Sequence, residues 1–138
     1  MAENRTIPKN KEAEQLVLGS ILMDPEEVVP QVVEKVEPGY FYWKEHRLIF
    51  RAILELFDKG DPADVVTVTN RLKEKDQLDD IQGRGYLADL LDKVVTTANL
   101  DHYTEILREK ALMRALINGG RRISELGYET DKELKDVL

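Results

Sequence analysis

Ala111-Leu112-Met113-Arg114-Ala115-Leu116-Ile117 decides how the rest of the chain is read. At about 100° of helix rotation per residue, its apolar side chains spread over roughly 240° of the wheel, whereas a stripe facing one core can be as narrow as about 100°. Part of that surface therefore calls for a second covering. Upstream, Leu100, Tyr103, Ile106 and Leu107 form an ordinary single stripe starting from Asn99. Downstream, Gly119-Gly120 weakens a helix by about 1 kcal/mol per glycine relative to alanine, so it marks either a break or a close approach by another helix. Ile123 and Leu126 carry the pattern on to Gly127. Thr130-Asp131-Lys132-Glu133 then makes a capping box for a last helix with Leu134, Val137 and Leu138 on one side. The sequence stops after about two turns, although helices below about 12–15 residues are marginal alone, so this reads as the truncated second arm of a helical hairpin.

The residues before Asn99 read as further helices. Residues 1–9 are a polar arm containing Pro8, and Asn10 is placed to cap a helix carrying Ala13, Leu16, Val17 and Ile21 to about Leu22. Asp24-Pro25-Glu26-Glu27 supplies a cap, a proline at the first helical position and a first-turn carboxylate. The helix it opens carries Val28, Val29, Val32, Val33 and Val36 and is expected to kink at Pro30. After Pro38-Gly39, the aromatic knot Tyr40-Phe41-Tyr42-Trp43 leads into a third helix that Gly60 ends. Thr67 is read as the cap of a short fourth helix, Leu78 and Ile81 as plugs in a loop, and Tyr86 to Val94 as a fifth helix. Every periodic segment is helical. The fold expected is all-α: an arm (1–9), a compact multi-helix head (10–98) and a C-terminal helical hairpin (99–138).

The 138 residues, 42% hydrophobic and 34% charged, are enough for one domain with a core. The formal net charge is −7, so the field of the whole molecule repels polyphosphate. There is no cysteine, which removes disulfides, thiolate metal sites and Cys nucleophiles and points weakly to the cytoplasm. The N-terminal stretch has neither the pattern of a signal peptide nor that of a membrane span. No lysine precedes Ser or Thr, as a P-loop requires. His46 reads as packed near the aromatic knot and His102 as a first-turn surface residue, not as metal ligands. Acidic pairs such as Glu26-Glu27 and Asp79-Asp80 read as solvated helix ends and loops rather than acid–base machinery. The aromatic knot could stack on bases, yet with an apolar helix on each side it reads better as an anchor between the second and third helices. No catalytic residue, cofactor or metal is expected in this chain.

Charge is uneven. Residues 104–123 carry a net +3, which leaves −10 for the rest. That modest basic face is either a set of surface salt bridges or a surface for an acidic partner or a DNA backbone.

Five groups of residues carry a family resemblance. They are Lys11 to Gly19 (KEAEQLVLG), then Phe41-Tyr42 with His46, Ile49 and Phe50, then Gly60 to Thr67 (GDPADVVT), then Gly83 with Tyr86-Leu87, and finally Ala98-Asn99 with Tyr103. In this order and spacing they resemble the N-terminal domain of the DnaB-type replicative DNA helicases, collinearly from about Ile7 to Leu138. The resemblance implies a hexameric ring ATPase that unwinds DNA, with ATP, magnesium and single-stranded DNA handled by a RecA-like C-terminal domain absent from this chain. It further implies that the N-terminal domain pairs with itself through the hairpin, builds a collar of three dimers, and recruits the helicase-binding domain of the DnaG-type primase. By motif position, the primase-contacting residues would be Tyr86, Ile117 and Ile123. Leu112, Leu116, Leu134 and Leu138 are expected at the self-pairing interface. Two positions depart from the family pattern: Gln82 stands for the first glycine of the Gly-Gly-x-x-Tyr-Leu motif, and Gly119-Gly120 stands where relatives keep helix formers. The alternative to this interaction module is an acidic helical DNA-binding or adaptor domain, such as a helix-turn-helix regulator, which would show salt-dependent duplex binding.

Overall fold

The computed structural model describes residues 5–129, and all regular structure among them is helical. Leu134 and Leu138, like the capping box at 130–133, lie outside the described residues. The order is α1 (Lys11–Met23), α2 (Pro25–Val33), α3 (Lys44–Lys59), α4 (Val65–Glu74), α5 (Arg84–Asp92) and α6 (Leu100–Tyr128), with 3-10 turns at Pro38–Tyr40 and Asp79–Ile81.

Helix α1 is the axis of the head. Asn10 caps it, its side chain accepting the Ala13 N–H at 2.9 Å. Ala13, Glu14, Val17, Leu18, Gly19, Ser20, Ile21 and Leu22 are all buried, as a helix hemmed in by neighbours requires. Its partners are α2, α3, α5 and α6. The packing against α5 depends on Gly19, where a Cβ would stand 2.3 Å from the Leu90 carbonyl oxygen and 2.6 Å from Val94 Cγ2.

The remaining helices show where local signals misplace a boundary. Asp24 makes no side-chain cap bond, so α2 begins on Pro25 alone. It runs through Pro30 and ends at Val33, three residues before the expected end, because the Lys35 and Val36 N–H groups both turn back to the Val32 carbonyl. Pro30 is tolerated because it and Glu26, whose carbonyl loses a donor, are both exposed to water. Helix α3 stops at Gly60 (φ 77°), with the Asp61 N–H closing on the Leu56 carbonyl at 2.9 Å. The cap of α4 is Asp64, not Thr67: the Asp64 carboxylate accepts the Thr67 N–H at 2.8 Å. Ile81 is fully buried and Leu78 packs against the core, as plugs should.

Helix α6 is continuous for 29 residues, about 43 Å at 1.5 Å per residue, and passes through Gly119-Gly120 without a break. Nothing else in the described chain comes within 4 Å of a Cβ at either glycine, so no helix of the head approaches there. Leu100, Thr104 and Leu107 are buried against the head, and no described α6 residue beyond Leu107 is.

Candidate functional site

The face of α6 that leaves the head is the most distinctive surface. Leu100, Leu107 and Arg114 recur every seven residues and keep one line turned to the head. At about 100° per residue, Leu112, Leu116, Gly119 and Ile123 fall within about 60° of one another and about 150° around the helix from that line. Leu112 is 54% exposed and Leu116 69%, while Ile123, 72% exposed, lies where the helix has left the head and residues 118–125 are exposed on every face. An isolated exposed leucine is ordinary, but an aligned row of them on a projecting helix is an uncovered seam.

Arg114 fastens this rod. Its guanidinium donates to the Pro8 and Tyr40 carbonyls, both at 2.8 Å, and lies 5.7 Å from the centre of the Tyr42 ring. Burial pulls its pKa below the usual arginine value. Beside it, Ile7 of the arm, Tyr42, Ile117 and Asn118 line a cleft of about 180 Å³. Lys9 holds the arm in place, 4.7 Å above the Tyr42 ring. The basic face expected along α6 is consequently smaller than its composition: Arg114 is spent on the head, and Arg108 pairs with Glu105 at 3.1 Å.

A second constellation joins three helices inside the head. Glu14 of α1, 1% exposed, accepts the Tyr42 N–H at 2.8 Å through one oxygen and faces His46 Nδ1 at 2.7 Å through the other. His46 Nε2 meets the Tyr86 hydroxyl, which also accepts from Gln15 Nε2 at 3.2 Å. The Tyr86 ring stacks on His46 at 5.8 Å with 12° between planes. One orientation uses every group: Gln15 donates to Tyr86, Tyr86 to Nε2, and Nδ1–H to Glu14. The triad resembles a proton relay, but burial pushes the Tyr86 pKa up, and none of its three members lines the cleft at the arm. It acts as a polar lock between α1, α3 and α5, leaving no buried polar atom of the triad unpaired. Among the described residues no group of three His, Asp or Glu side chains is placed to hold a metal ion.

His46 packs with the aromatic knot and His102 is exposed, as expected of each. The three residues expected from the sequence to bind a partner do not converge. Tyr86 is half-buried with its hydroxyl committed to the lock, Ile117 borders the cleft at the arm, and Ile123 lies on the seam with Leu112 and Leu116. Sequence reasoning missed Glu14 and the Arg114 anchor. The signal for Glu14 is its place in the buried α1 row, four residues before Leu18 and seven before Ile21.

No helix among the described residues is long and apolar enough to cross a membrane. Residues 6–109 match the family described as DnaB-like helicase N terminal domain. The chain is 42% identical over 134 residues to the replicative DNA helicase DnaB of Geobacillus stearothermophilus, covering 97% of this chain and 29% of that protein. It is similar in structure to the N-terminal domain of the DnaB helicase from Mycobacterium tuberculosis, with a TM-score of 0.89, 38% identity, and 96% and 92% of the two chains covered. A DnaB-like replicative helicase whose structure is described with its interactions with primase aligns at a TM-score of 0.73 and 30% identity, over 84% of this chain and 26% of that one. The chain thus spans between 15% and 30% of the length of the replicative helicases it matches.

Proposed function

Because the chain belongs to the DnaB-like helicase N-terminal domain family, we propose that it works as the collar module of a cytoplasmic replicative DNA helicase, pairing with a second copy of itself and docking primase. Unwinding of DNA with ATP and magnesium, and the contact with single-stranded DNA, belong in this reading to the remainder of a longer protein. The observation that carries the proposal is the uncovered seam of α6. Leu112 and Leu116 stand in water opposite the side that Arg114 fixes to the head, and Ile123 continues their line where the rod has left the head. Covering such residues contributes about 25 cal/mol per Å² of apolar surface. Gly119, on the same line, removes the side chain that would hold a second helix away.

In this reading the seam, together with Leu134 and Leu138 of the expected second arm, pairs with a second copy and builds a trimer of dimers in the hexamer. Ile117, Tyr86 and Ile123 present the primase-facing anchors, Ile123 from the seam itself. Aliphatic and aromatic anchors of this kind supply most of an interface's affinity, and the remaining basic residues Lys110, Arg121 and Arg122 speed encounter. Calorimetric titration with the helicase-binding domain of the cognate primase tests it. Ile117→Ser is expected to weaken binding by about tenfold or more, equivalent to about 1.4 kcal/mol. Tyr86→Ala should do the same, with Tyr86→Phe separating loss of the ring from loss of the internal hydroxyl bonds. Unchanged affinity in folded variants would reject these contacts.

A further inference from the structure

Away from α6, the start of α2, the end of α3 and the turn after α3 enclose another cleft, of about 310 Å³. Val29 and Ala63 are buried in it, Pro25, Pro30 and Pro62 shape its walls, and Phe57 stands beside them 42% exposed. The three proline rings fix their local backbone, so the cleft keeps its shape before anything enters and little ordering entropy is lost on filling it. Glu26 and Asp61 stand on the lining, and Asp24, Glu27 and Asp58 follow in the same segments. Residues 24–30 and 57–63 together carry a net charge of −4, with Lys59 as their one cation. None of these five carboxylates forms a salt bridge among the described residues.

An apolar floor inside an acidic rim selects its occupant by charge. Phosphates are repelled, so a nucleic acid backbone does not fit. An aliphatic or aromatic side chain fills the floor, and an ammonium or guanidinium group next to it meets an unpaired carboxylate. We propose that this cleft is a docking site for a short peptide segment of a partner protein in which a large apolar residue is flanked by lysine or arginine. No α6 residue lines it, so it is separate from the seam and from the Ile117 cleft.

The test uses the whole chain and a fluorescein-labelled peptide, Lys-Arg-Leu-Phe-Lys-Arg, followed by anisotropy and by amide shifts in NMR. One control replaces each Lys and Arg by Glu, and a second replaces Leu and Phe by Gly. The basic apolar peptide is expected to bind at least about tenfold more tightly than either control, to weaken as salt is raised, and to shift Val29, Phe57 and Ala63. Phe57→Ala and Asp61→Lys each lower the affinity by about tenfold or more. Both positions are exposed, so the helical circular dichroism stays unchanged. Equal binding by either control, shifts confined to α6, or no binding at about 1 mM peptide would overturn the proposal.

Discussion

Gly19 and Gln82 show how much of this head rests on single backbone positions. A methyl group at Gly19 collides with the Leu90 carbonyl oxygen, which is backbone and cannot swing away. Gly19→Ala is therefore expected to part α1 from α5 and cost about 1–3 kcal/mol in denaturant unfolding, the range for overpacking a core. Gln82 holds φ 72° and is followed by Gly83 at φ 80°. A left-handed backbone costs a side-chain-bearing residue about 1–2 kcal/mol, while glycine gives back about 0.5–1 kcal/mol in unfolded-state freedom. Gln82→Gly should accordingly raise stability by about 0.5–1 kcal/mol, read from the same denaturation curve. The sequence pattern marks both places, Gly19 inside a shared motif and Gln82 as a departure from one, but only packing gives the reason. The lock of Glu14, His46 and Tyr86 was less legible. Its members lie 32 and 40 residues apart, and nothing local joins them before α1, α3 and α5 meet.

At the scale of elements, periodicity and capping signals located the six α-helices but not the 3-10 turns at Pro38–Tyr40 and Asp79–Ile81, and errors gathered at the ends, where one hydrogen bond decides. Asp64 displaces Thr67 as a cap because its carboxylate reaches the N–H three residues on, and α2 ends early because Val36 serves the core from a turn. The glycine pair in α6 left two readings open, a break or a close approach, and the helix passes straight through with neither inside the chain. Between α3 and α4 a charge clamp adds a pH dependence. Glu55 receives Arg71 at 2.6 Å and is bridged by Lys75. Burial raises its pKa, but the hydrogen bonds from Lys75 and Arg71 outweigh that and hold it below the ordinary 4.5. A depressed folded-state pKa means that the clamp contributes fully above the unfolded value and is lost as the pH falls through the folded one. Glu55→Gln should lower stability at neutral pH by up to about 1 kcal/mol and flatten the acid limb below about pH 4.5, measured as unfolding free energy against pH.

For the whole molecule, a head with its own core carries a rod that it covers on one side only. Within the head, α1 is enclosed by α2, α3, α5 and the start of α6, and the Glu14 lock is satisfied. The rod lacks such a cover on its outer side, which the over-wide apolar arc around Ala111 to Ile117 makes legible in the sequence. What the arc could not reveal is its division: Arg114 turns one side inward to Pro8 and Tyr40, and the outward side becomes a straight seam. Sedimentation of the chain over a wide concentration range, alone and with the helicase-binding domain of primase, tests the account most directly. Concentration-dependent dimerisation that Leu112→Glu with Leu116→Glu abolishes, together with a faster-sedimenting complex when the primase domain is added, is the predicted result. A single monomeric boundary at every concentration, unmoved by that domain, would contradict it.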